Sequence, residues 1–176
     1  MRILFYTTLA FLSIHAESIE RPPIPQTLYG IGPHKVSFQS MSHEFLCAEH
    51  GGQTYLIANR AHLGPWEEFE IHCQNTSCTK VQIATIQGWW LDNDLLARAG
   101  NKNLRFEGPT RFQKPTIRIA TMSLDHHSDT RYALRNEDGN YWVVCPDKKI
   151  CIGDKKFPGE SALFQIKPII ERHDEL

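Results

Sequence analysis

The feature of this sequence that most constrains its fold is a recurring order of short runs rich in β-branched and aromatic residues. Gly, Asn, Asp or Pro separate the runs and no convincing helix lies among them, which is typical of an all-β barrel or sandwich. The runs fall into three groups of four: 36–41, 45–48, 55–58 and 69–71; 81–84, 89–91, 103–106 and 116–119; 131–135, 141–144, 150–152 and 163–166. The sequence therefore predicts an all-β fold of three four-stranded repeats.

The second run of each group sets the register of this repeat. Phe45, Trp89 and Tyr141 begin these runs at separations of 44 and 52 residues. Each is followed by another large apolar residue: Leu46, Trp90 and Trp142. Three such units can close into one barrel with few exposed strand edges. Having three repeats rather than four excludes a four-bladed propeller.

The first group also carries a family resemblance. Its segments 45–52 (FLCAEHGG), 56–60 (LIANR) and 64–70 (GPWEEFE) resemble one repeat of the fascin-like β-trefoil modules. The third group resembles them less closely, and the second lacks the Ala-Asn-Arg and Trp-Glu elements. This superfamily includes actin cross-linkers and modules attached to bacterial sugar-processing enzymes. The resemblance implies a β-trefoil.

The residues that carry the resemblance have structural explanations. The glycines at 51–52 permit a turn with positive backbone torsions, and Trp66 and Phe69 are predicted to fill the bottom layer of the barrel. The Asn-Arg pair at 59–60 is expected to tie a loop to that layer. These residues are therefore predicted to shape the fold rather than to contact a ligand.

The beginning of the sequence has the pattern of a secretory signal. Arg2 precedes the apolar run 3–12, and the small residues Ala16 and Ser18 follow. This is the pattern of a cleavable signal peptide, with cleavage expected after Ala16 or after Ser18. The run is too short to span a membrane, which takes about 20 apolar residues.

The last four residues are predicted to form an endoplasmic reticulum retrieval signal, which a receptor binds and which does not anchor the chain to lipid. They are His173, Asp174, Glu175 and Leu176. The predicted organisation is a signal peptide (1–18), a Pro-rich arm (19–34), a β-trefoil domain (35–170) and a tail with the retrieval signal (171–176). We expect the protein in the lumen of the endoplasmic reticulum, with the retrieval receptor as one partner.

Charge excludes one class of partner. The sequence has 19 Lys and Arg residues against 20 Asp and Glu residues. Because these charges nearly cancel, nothing in the composition favours a nucleic acid or an anionic membrane surface as a ligand.

Five cysteines follow the signal and would meet an oxidising lumen. Two local pairs are predicted, Cys73 with Cys78 and Cys145 with Cys151, because short loops bring each pair together. Cys47 is predicted to be a small buried residue in a strand, with a reactive or intermolecular thiol as the alternative.

Asn75 is a predicted N-glycosylation site. It begins the acceptor triplet Asn-Thr-Ser inside the first cysteine loop,. A polar turn in a lumenal protein is a suitable place for this modification, although a bridge between the flanking cysteines can hinder it.

No residue set predicts catalysis, a metal site or a cofactor. Glu67, Glu68 and Glu70 are predicted to form a solvated face. The segment 92–97 opens like a calcium loop but lacks the glycine that such a loop requires. The Asp-His-His segment at 125–127 is predicted to be an exposed loop. Neither a Ser-His-Asp order nor a Cys-X-X-Cys motif is present. We therefore predict that the chain is not an enzyme.

The predicted binding residues are the aromatic pairs Trp89–Trp90 and Tyr141–Trp142. Adjacent residues in a strand point to opposite faces, so at most one of each pair belongs to the core. An exposed ring can stack on a sugar or on a client side chain. The sequence predicts a binding module for glycans or client proteins. A structural or assembly cofactor of a lumenal complex is the alternative, and its mark would be a protein-sized apolar patch. Actin is not an expected partner because a signal peptide removes the chain from the cytosol.

Overall fold

The computed structural model describes residues 33–91, 106–107, 119–128 and 130–169. The strands are β1 (Pro33–Ser40), β2 (Phe45–Ala48), β3 (Leu56–Arg60), β4 (Phe69–Cys73), β5 (Lys80–Thr85), β6 (Trp90–Leu91), β7 (Phe106–Glu107), β8 (Met122–Ser128), β9 (Arg131–Arg135), β10 (Trp142–Val144), β11 (Ile150–Ile152) and β12 (Leu163–Pro168). A one-turn helical segment, α1 (Glu49–Gly52), follows β2, and a 3₁₀ helix, Gly159–Ala162, precedes β12. The all-β prediction is confirmed.

Several predictions concern residues outside this description. They include the signal peptide, the segment 92–97, the retrieval signal and residues 19–32 of the Pro-rich arm. The last two residues predicted for the arm, Pro33 and His34, instead begin β1. They belong to the strand because Pro33 to Val36 pair with β4.

Six strands pair in a closed antiparallel ring. β1 pairs with β4, β4 with β5, β5 with β8, β8 with β9, β9 with β12, and β12 with β1. The other strands pair as hairpins, β2 with β3, β6 with β7 and β10 with β11. Each strand of the ring therefore has a neighbour on both sides, which removes free sheet edges from the barrel.

The turns that follow β1, β5 and β9 share one geometry. Their first residues are Ser40, Thr85 and Asn136, whose amides donate to the carbonyl of the fifth turn residue at 2.8 to 2.9 Å. The side-chain oxygen of the first residue accepts from the fifth amide at 2.8 to 3.3 Å. The fourth residue has a φ between 65° and 88°, and glycine takes this position in two of the turns,. The turns therefore give three equivalent reference points, 45 and 51 residues apart.

Alignment on these turns corrects the predicted register of the second group. The sixth residue after each turn start is fully buried: Leu46, Leu91 and Trp142. Trp90 is therefore the equivalent of Phe45, whereas Trp89 is the last residue of its turn. The predicted register was wrong by one residue because Trp89 and Trp90 fit the local pattern equally well.

The fourth strand of each group has an equivalent core residue at its first or second position. Phe69 and Phe164 lie opposite the first residues of two of the shared turns. Met122 directly precedes Ser123, which pairs with the residue just before the third turn. All three side chains are at most 1% exposed. Residues at a fixed distance before them can therefore be compared between the groups.

The eighth strand differs from the prediction. It begins at Met122, after the predicted run 116–119, and it contains the segment 125–127 that was expected to be a loop. β8 pairs with β9 from Ser123 onward, and Leu124 is buried opposite Leu134. This cross-strand pairing, which the local sequence does not reveal, keeps the two histidines in a strand.

Both predicted cysteine pairs lie at disulfide distance. The Cα atoms are 4.7 Å apart for Cys73 and Cys78, and 6.0 Å apart for Cys145 and Cys151,. Cys47 is an unpaired thiol, and it is fully buried in β2. The prediction of a small buried residue is confirmed for Cys47. Within the described part of the chain, no helix has the length and apolar character needed to cross a membrane.

Candidate functional site

A depression of about 570 Å³ lies between the β2–β3 loop and the turn after β5. We name it the two-tryptophan pocket. Its lining residues are His50, Gly51, Gln53, Thr54, Trp66, Gln87 and Trp89. Among the described residues, the lining contains no Asp, Glu, Lys or Arg, so its polar groups are amides, a hydroxyl and an imidazole.

The two tryptophans give this pocket its apolar surface. Trp66 is 37% exposed, and its ring lies 5.6 Å from the ring of His50. Trp89 is half-buried and packs against the barrel core. The indole of Trp89 thus packs on the core, whereas the indole of Trp66 lies on the rim of the pocket and is exposed to solvent.

A single buried hydroxyl fixes Trp89 relative to the opposite loop. The Thr85 Oγ1 accepts from the amide of Trp89 at 3.2 Å and donates to the carbonyl of Gly51 at 3.2 Å. A hydroxyl can donate once and accept twice, so both bonds form together. Because Gly51 belongs to α1, this hydroxyl links the two sides of the pocket.

Trp66 is held through the backbone around it. Its carbonyl accepts from the amide of Ala48 at 2.8 Å, and Gln87 Nε2 donates to the Pro65 carbonyl at 3.1 Å. Gln87 also packs closely on Gly51, where a Cβ would lie 3.3 Å from its Cγ. Gly51 has a φ of 72°, which further favours glycine at this position,.

A charged cluster lies beside Trp66. Arg60 Nη2 is 2.6 Å from Glu49 Oε1, and Arg60 Nε is 3.6 Å from Glu67 Oε1. Cys47 Sγ lies 3.7 Å from Glu49 Oε1. Burial, together with the neighbouring Glu67 and Glu49, raises the pKa of the Cys47 thiol to about 12,. Arg60 therefore links α1 to the loop that contains Glu67.

Two sequence predictions near this cluster were wrong. Glu67 was expected on a solvated face, but it is 5% exposed because its carboxylate turns inward toward Arg60. Trp66 was expected in the bottom layer of the barrel, but it lies on the pocket rim. The odd separation between Trp66 and the buried Phe69 was a usable signal, because residues three apart in an extended chain face opposite sides.

The four predicted binding residues do not come together in one site. Trp89 lines the two-tryptophan pocket, whereas Trp90 is half-buried outside its lining. Tyr141 is half-buried in the third group, where its ring lies 5.5 Å from that of Phe157. Trp142 is fully buried, so its ring cannot stack on a ligand and it belongs to the core.

Sequence reasoning missed most of the pocket. It did not select His50 or Gln87, and it assigned Trp66 to the core. These residues belong to separate segments that meet only when the β2–β3 loop packs beside the turn after β5. The local sequence around each residue therefore does not predict that contact.

An equivalent depression lies between the turn after β1 and the β10–β11 loop. We name it the counterpart pocket. It has a volume of about 420 Å³, and its lining includes Ser42, Lys148 and Ser161. Lys148 Nζ lies 2.6 Å from Glu44 Oε2 beside this pocket, and Lys148 lowers the pKa of Glu44. Its described lining contains charged and apolar side chains but no aromatic ring.

The shared turns and core positions identify the equivalents of each tryptophan. Trp89 is the fifth turn residue, and its equivalents are Glu44 and Asn140. Trp66 lies three residues before Phe69. Its equivalents, three residues before Met122 and Phe164, are Ile119 and Ser161. Only one of these three position pairs therefore holds two aromatic rings.

Asn75, the predicted glycosylation site, lies far from the pocket along the barrel. It is in the turn between β4 and β5, before the first residue of β5, whereas Thr85 is the last residue of this strand. Its Nδ2 donates to Thr79 Oγ1 at 2.8 Å. In the described ranges no three His, Cys, Asp or Glu side chains are grouped as metal ligands would be.

Comparison with known proteins gives matches in structure but not in sequence. No protein-family model and no curated protein matches the chain. The designed three-fold symmetric protein ThreeFoil is similar with a TM-score of 0.61 and 12% identity, over 77% of this chain and 99% of that one. The agglutinin of Rhizoctonia solani gives 0.58 and 9%, over 80% and 98%.

A third similar structure carries the name of the fold. The BEL β-trefoil matches with a TM-score of 0.57 and 11% identity, over 84% of this chain and 98% of that one. Identities this low show the fold alone. The ring of strands, the hairpins and these similarities agree that the chain has a β-trefoil fold.

Proposed function

We propose that this chain is a non-catalytic binding module that recognises glycans through the two-tryptophan pocket. The observation that carries this proposal is that Trp66 and Trp89 line one depression together with amide and hydroxyl groups. A sugar ring offers an apolar C–H face that can pack on an indole, and hydroxyls that need hydrogen-bond partners. A few polar groups around aromatic walls are typical of small-ligand sites.

The pocket chemistry favours a neutral sugar. Gln53, Thr54 and Gln87 offer donors and acceptors without a formal charge, and the described lining contains no Asp, Glu, Lys or Arg to pair with a charged sugar. Glycoside hydrolysis generally uses a pair of carboxylates that flank the bond. The lining provides no such pair, which supports binding rather than cleavage.

Two further observations support this proposal. One structure with a similar fold is an agglutinin, which makes sugars the ligand class to test first. The cysteine pairs at disulfide distance suit an oxidising compartment,. We propose the endoplasmic reticulum lumen as the site of action, as expected from the residues at 173–176. We also propose a fascin-like relationship, three four-stranded repeats and glycosylation at Asn75.

The direct test is titration calorimetry of the glycosylated protein with neutral oligosaccharides chosen from a glycan array. We expect Trp66→Ala and Trp89→Ala each to weaken binding by at least about 30-fold, as is usual for a central aromatic contact. Tyr141→Ala is the matched control, because it removes a half-buried aromatic ring outside the pocket. Absence of binding on the array, or equal losses in all three variants, would overturn the proposal.

An assembly cofactor is the second candidate, and one observation favours it. A cavity of about 500 Å³ adjoins the counterpart pocket, with Val143, Pro146, Phe157 and Pro158 in its lining. This apolar surface is suited to a protein partner. Affinity purification from lumenal extract, before and after enzymatic removal of glycans, separates the candidates. Recovery of the same few stoichiometric partners in both cases, lost in Phe157→Ser, would favour assembly.

A further inference from the structure

Glu67 is a buried carboxylate in an otherwise exposed loop. Between Ala61 and Glu68 it is the one buried side chain, at 5% exposure. It directly follows Trp66, which stands on the rim of the two-tryptophan pocket. The chain thus buries a charge-bearing group at the residue next to a proposed ligand contact.

The two equivalent positions show that the fold does not require a carboxylate here. Glu67 lies two residues before Phe69, and the residues two before Met122 and Phe164 are Ala120 and Ala162. Both alanines are fully buried. Burying a carboxylate costs free energy even when it is paired, and alanine avoids that cost. The first group therefore carries a feature that barrel packing alone does not explain.

The contacts of Glu67 indicate what it does. Its Oε1 lies 3.6 Å from Arg60 Nε, which joins the loop to the end of β3. Its amide donates to the Gly64 carbonyl at 3.1 Å, which closes the turn that holds Trp66. Its Oε2 lies 2.9 Å from the place of a Cβ on Gly64, so the side chain packs against this turn. The Glu67 side chain therefore packs against the turn that holds Trp66 and, through Arg60, connects this turn to β3.

We infer that Glu67, paired with Arg60, is a positioning residue that holds Trp66 on the pocket rim. This inference rests on the proposed glycan binding. A rim tryptophan held in its bound geometry loses less conformational freedom when a ligand binds, which raises affinity without adding a contact. The carboxylate acts through the loop and does not touch the ligand.

The test compares Glu67→Ala, which installs the residue of the other two groups, with the more conservative Glu67→Gln. We expect Glu67→Ala to weaken neutral-glycan binding about tenfold through lost preorganisation. Glu67→Gln, which keeps the shape and one acceptor, should lose less. Because Arg60 keeps Glu49 as a partner in Glu67→Ala, the thermal midpoint should change little. In a Trp66→Ala background, Glu67→Ala should cause no further loss, because the residue it positions is gone.

Acrylamide quenching of Trp66 fluorescence, obtained by difference from Trp66→Phe, gives a readout that needs no ligand. Quenching should increase in Glu67→Ala. Unchanged quenching overturns the positioning role, whether or not a glycan binds. Unchanged affinity in Glu67→Ala overturns it while the proposed function stands. If the unchanged protein binds no glycan, the proposed function fails and the inference fails with it.

Discussion

The two-tryptophan pocket and the counterpart pocket lie on equivalent parts of one barrel, yet their chemistry differs. Where the first has Trp66 and Trp89, the second has Ser161 and Glu44. Lys148 lines the second pocket and pairs with Glu44 beside it, so a charged contact takes the place of Trp89. The backbone is shared and the side chains differ. Equivalent positions on one barrel can therefore hold an aromatic pocket in one place and an ion pair in another.

The loops beside the two pockets are also braced differently. The β10–β11 loop is braced by the Cys145–Cys151 pair, whereas the β2–β3 loop depends on the cluster of Glu49, Arg60 and Glu67. A disulfide holds a loop independently of the side chains around it. A partly buried ionic cluster is stable only when its charged groups are paired and packed. The third set of equivalent positions, Ile119 and Asn140, has neither tryptophan, so the described residues form one two-tryptophan pocket.

The largest effect is expected from making the first pocket resemble its counterpart. Trp89→Glu installs the residue that the turn after β1 carries, and the shared turn geometry should accept it. We expect neutral-glycan affinity to fall by more than about 30-fold, because a charge replaces an aromatic contact. Calorimetry measures this loss. Glu44→Gln, at the equivalent position, should leave affinity unchanged, and an equal loss there would remove the distinction between the pockets.

Removing the covalent brace should affect stability rather than binding. The double variant Cys145→Ser with Cys151→Ser should lower the free energy of unfolding by about 2–3 kcal/mol, since a short closed loop no longer restricts the unfolded chain. Urea unfolding measures the change. Glycan affinity, measured at a temperature where the variant is folded, should stay within twofold. A large loss of affinity would show that the two loops are coupled.

The buried thiol beside the ionic brace should be inert. With the pKa of Cys47 at about 12, native protein at pH 8 should resist iodoacetamide that labels the urea-unfolded chain. In the unfolded chain the pKa of a cysteine thiol is about 8.5. The stabilisation from keeping Cys47 protonated is therefore complete below that pH and declines as pH rises toward 12. Urea unfolding should show this decline relative to Cys47→Ala. Rapid native labelling would contradict the buried environment.

The smallest effect on binding is expected at the far end of the barrel. Asn75→Gln should abolish a mobility shift on enzymatic deglycosylation, because it removes the predicted acceptor. It should leave glycan affinity unchanged, since the β4–β5 turn lies at the opposite end of β5 from the pocket. A change in affinity would mean that the attached glycan reaches or occupies the pocket.

Much of the fold follows from local sequence. Alternating runs predict strands because strand side chains alternate between faces, and eleven of the predicted runs overlap observed strands,. The cysteine pairs were predictable because short loops limit where their sulfurs can lie. The run 116–119 lies almost entirely outside the described residues, and β8, which follows it, is defined by its pairing with β9.

The pocket was less predictable, for a physical reason. Trp66 and Gln87 belong to segments that meet only through tertiary contact, and the carbonyl of Pro65 accepts from Gln87. In the sequence Glu67 has the features of a surface carboxylate, and only the folded structure shows that it lies beside Arg60. The tandem tryptophans at 89–90 leave the register ambiguous by one residue, and only the hydrogen bonds of the turn resolve it.

The most direct test of the central claim uses the indole N–H signals of the four tryptophans in ¹⁵N-labelled protein. During titration with a neutral oligosaccharide that binds, the account predicts that the signals of Trp66 and Trp89 shift together with one dissociation constant. Those of Trp90 and Trp142 should stay in place. Shifts at Trp90 without shifts at Trp66 and Trp89, or no shifts at any indole under saturating ligand, would contradict it.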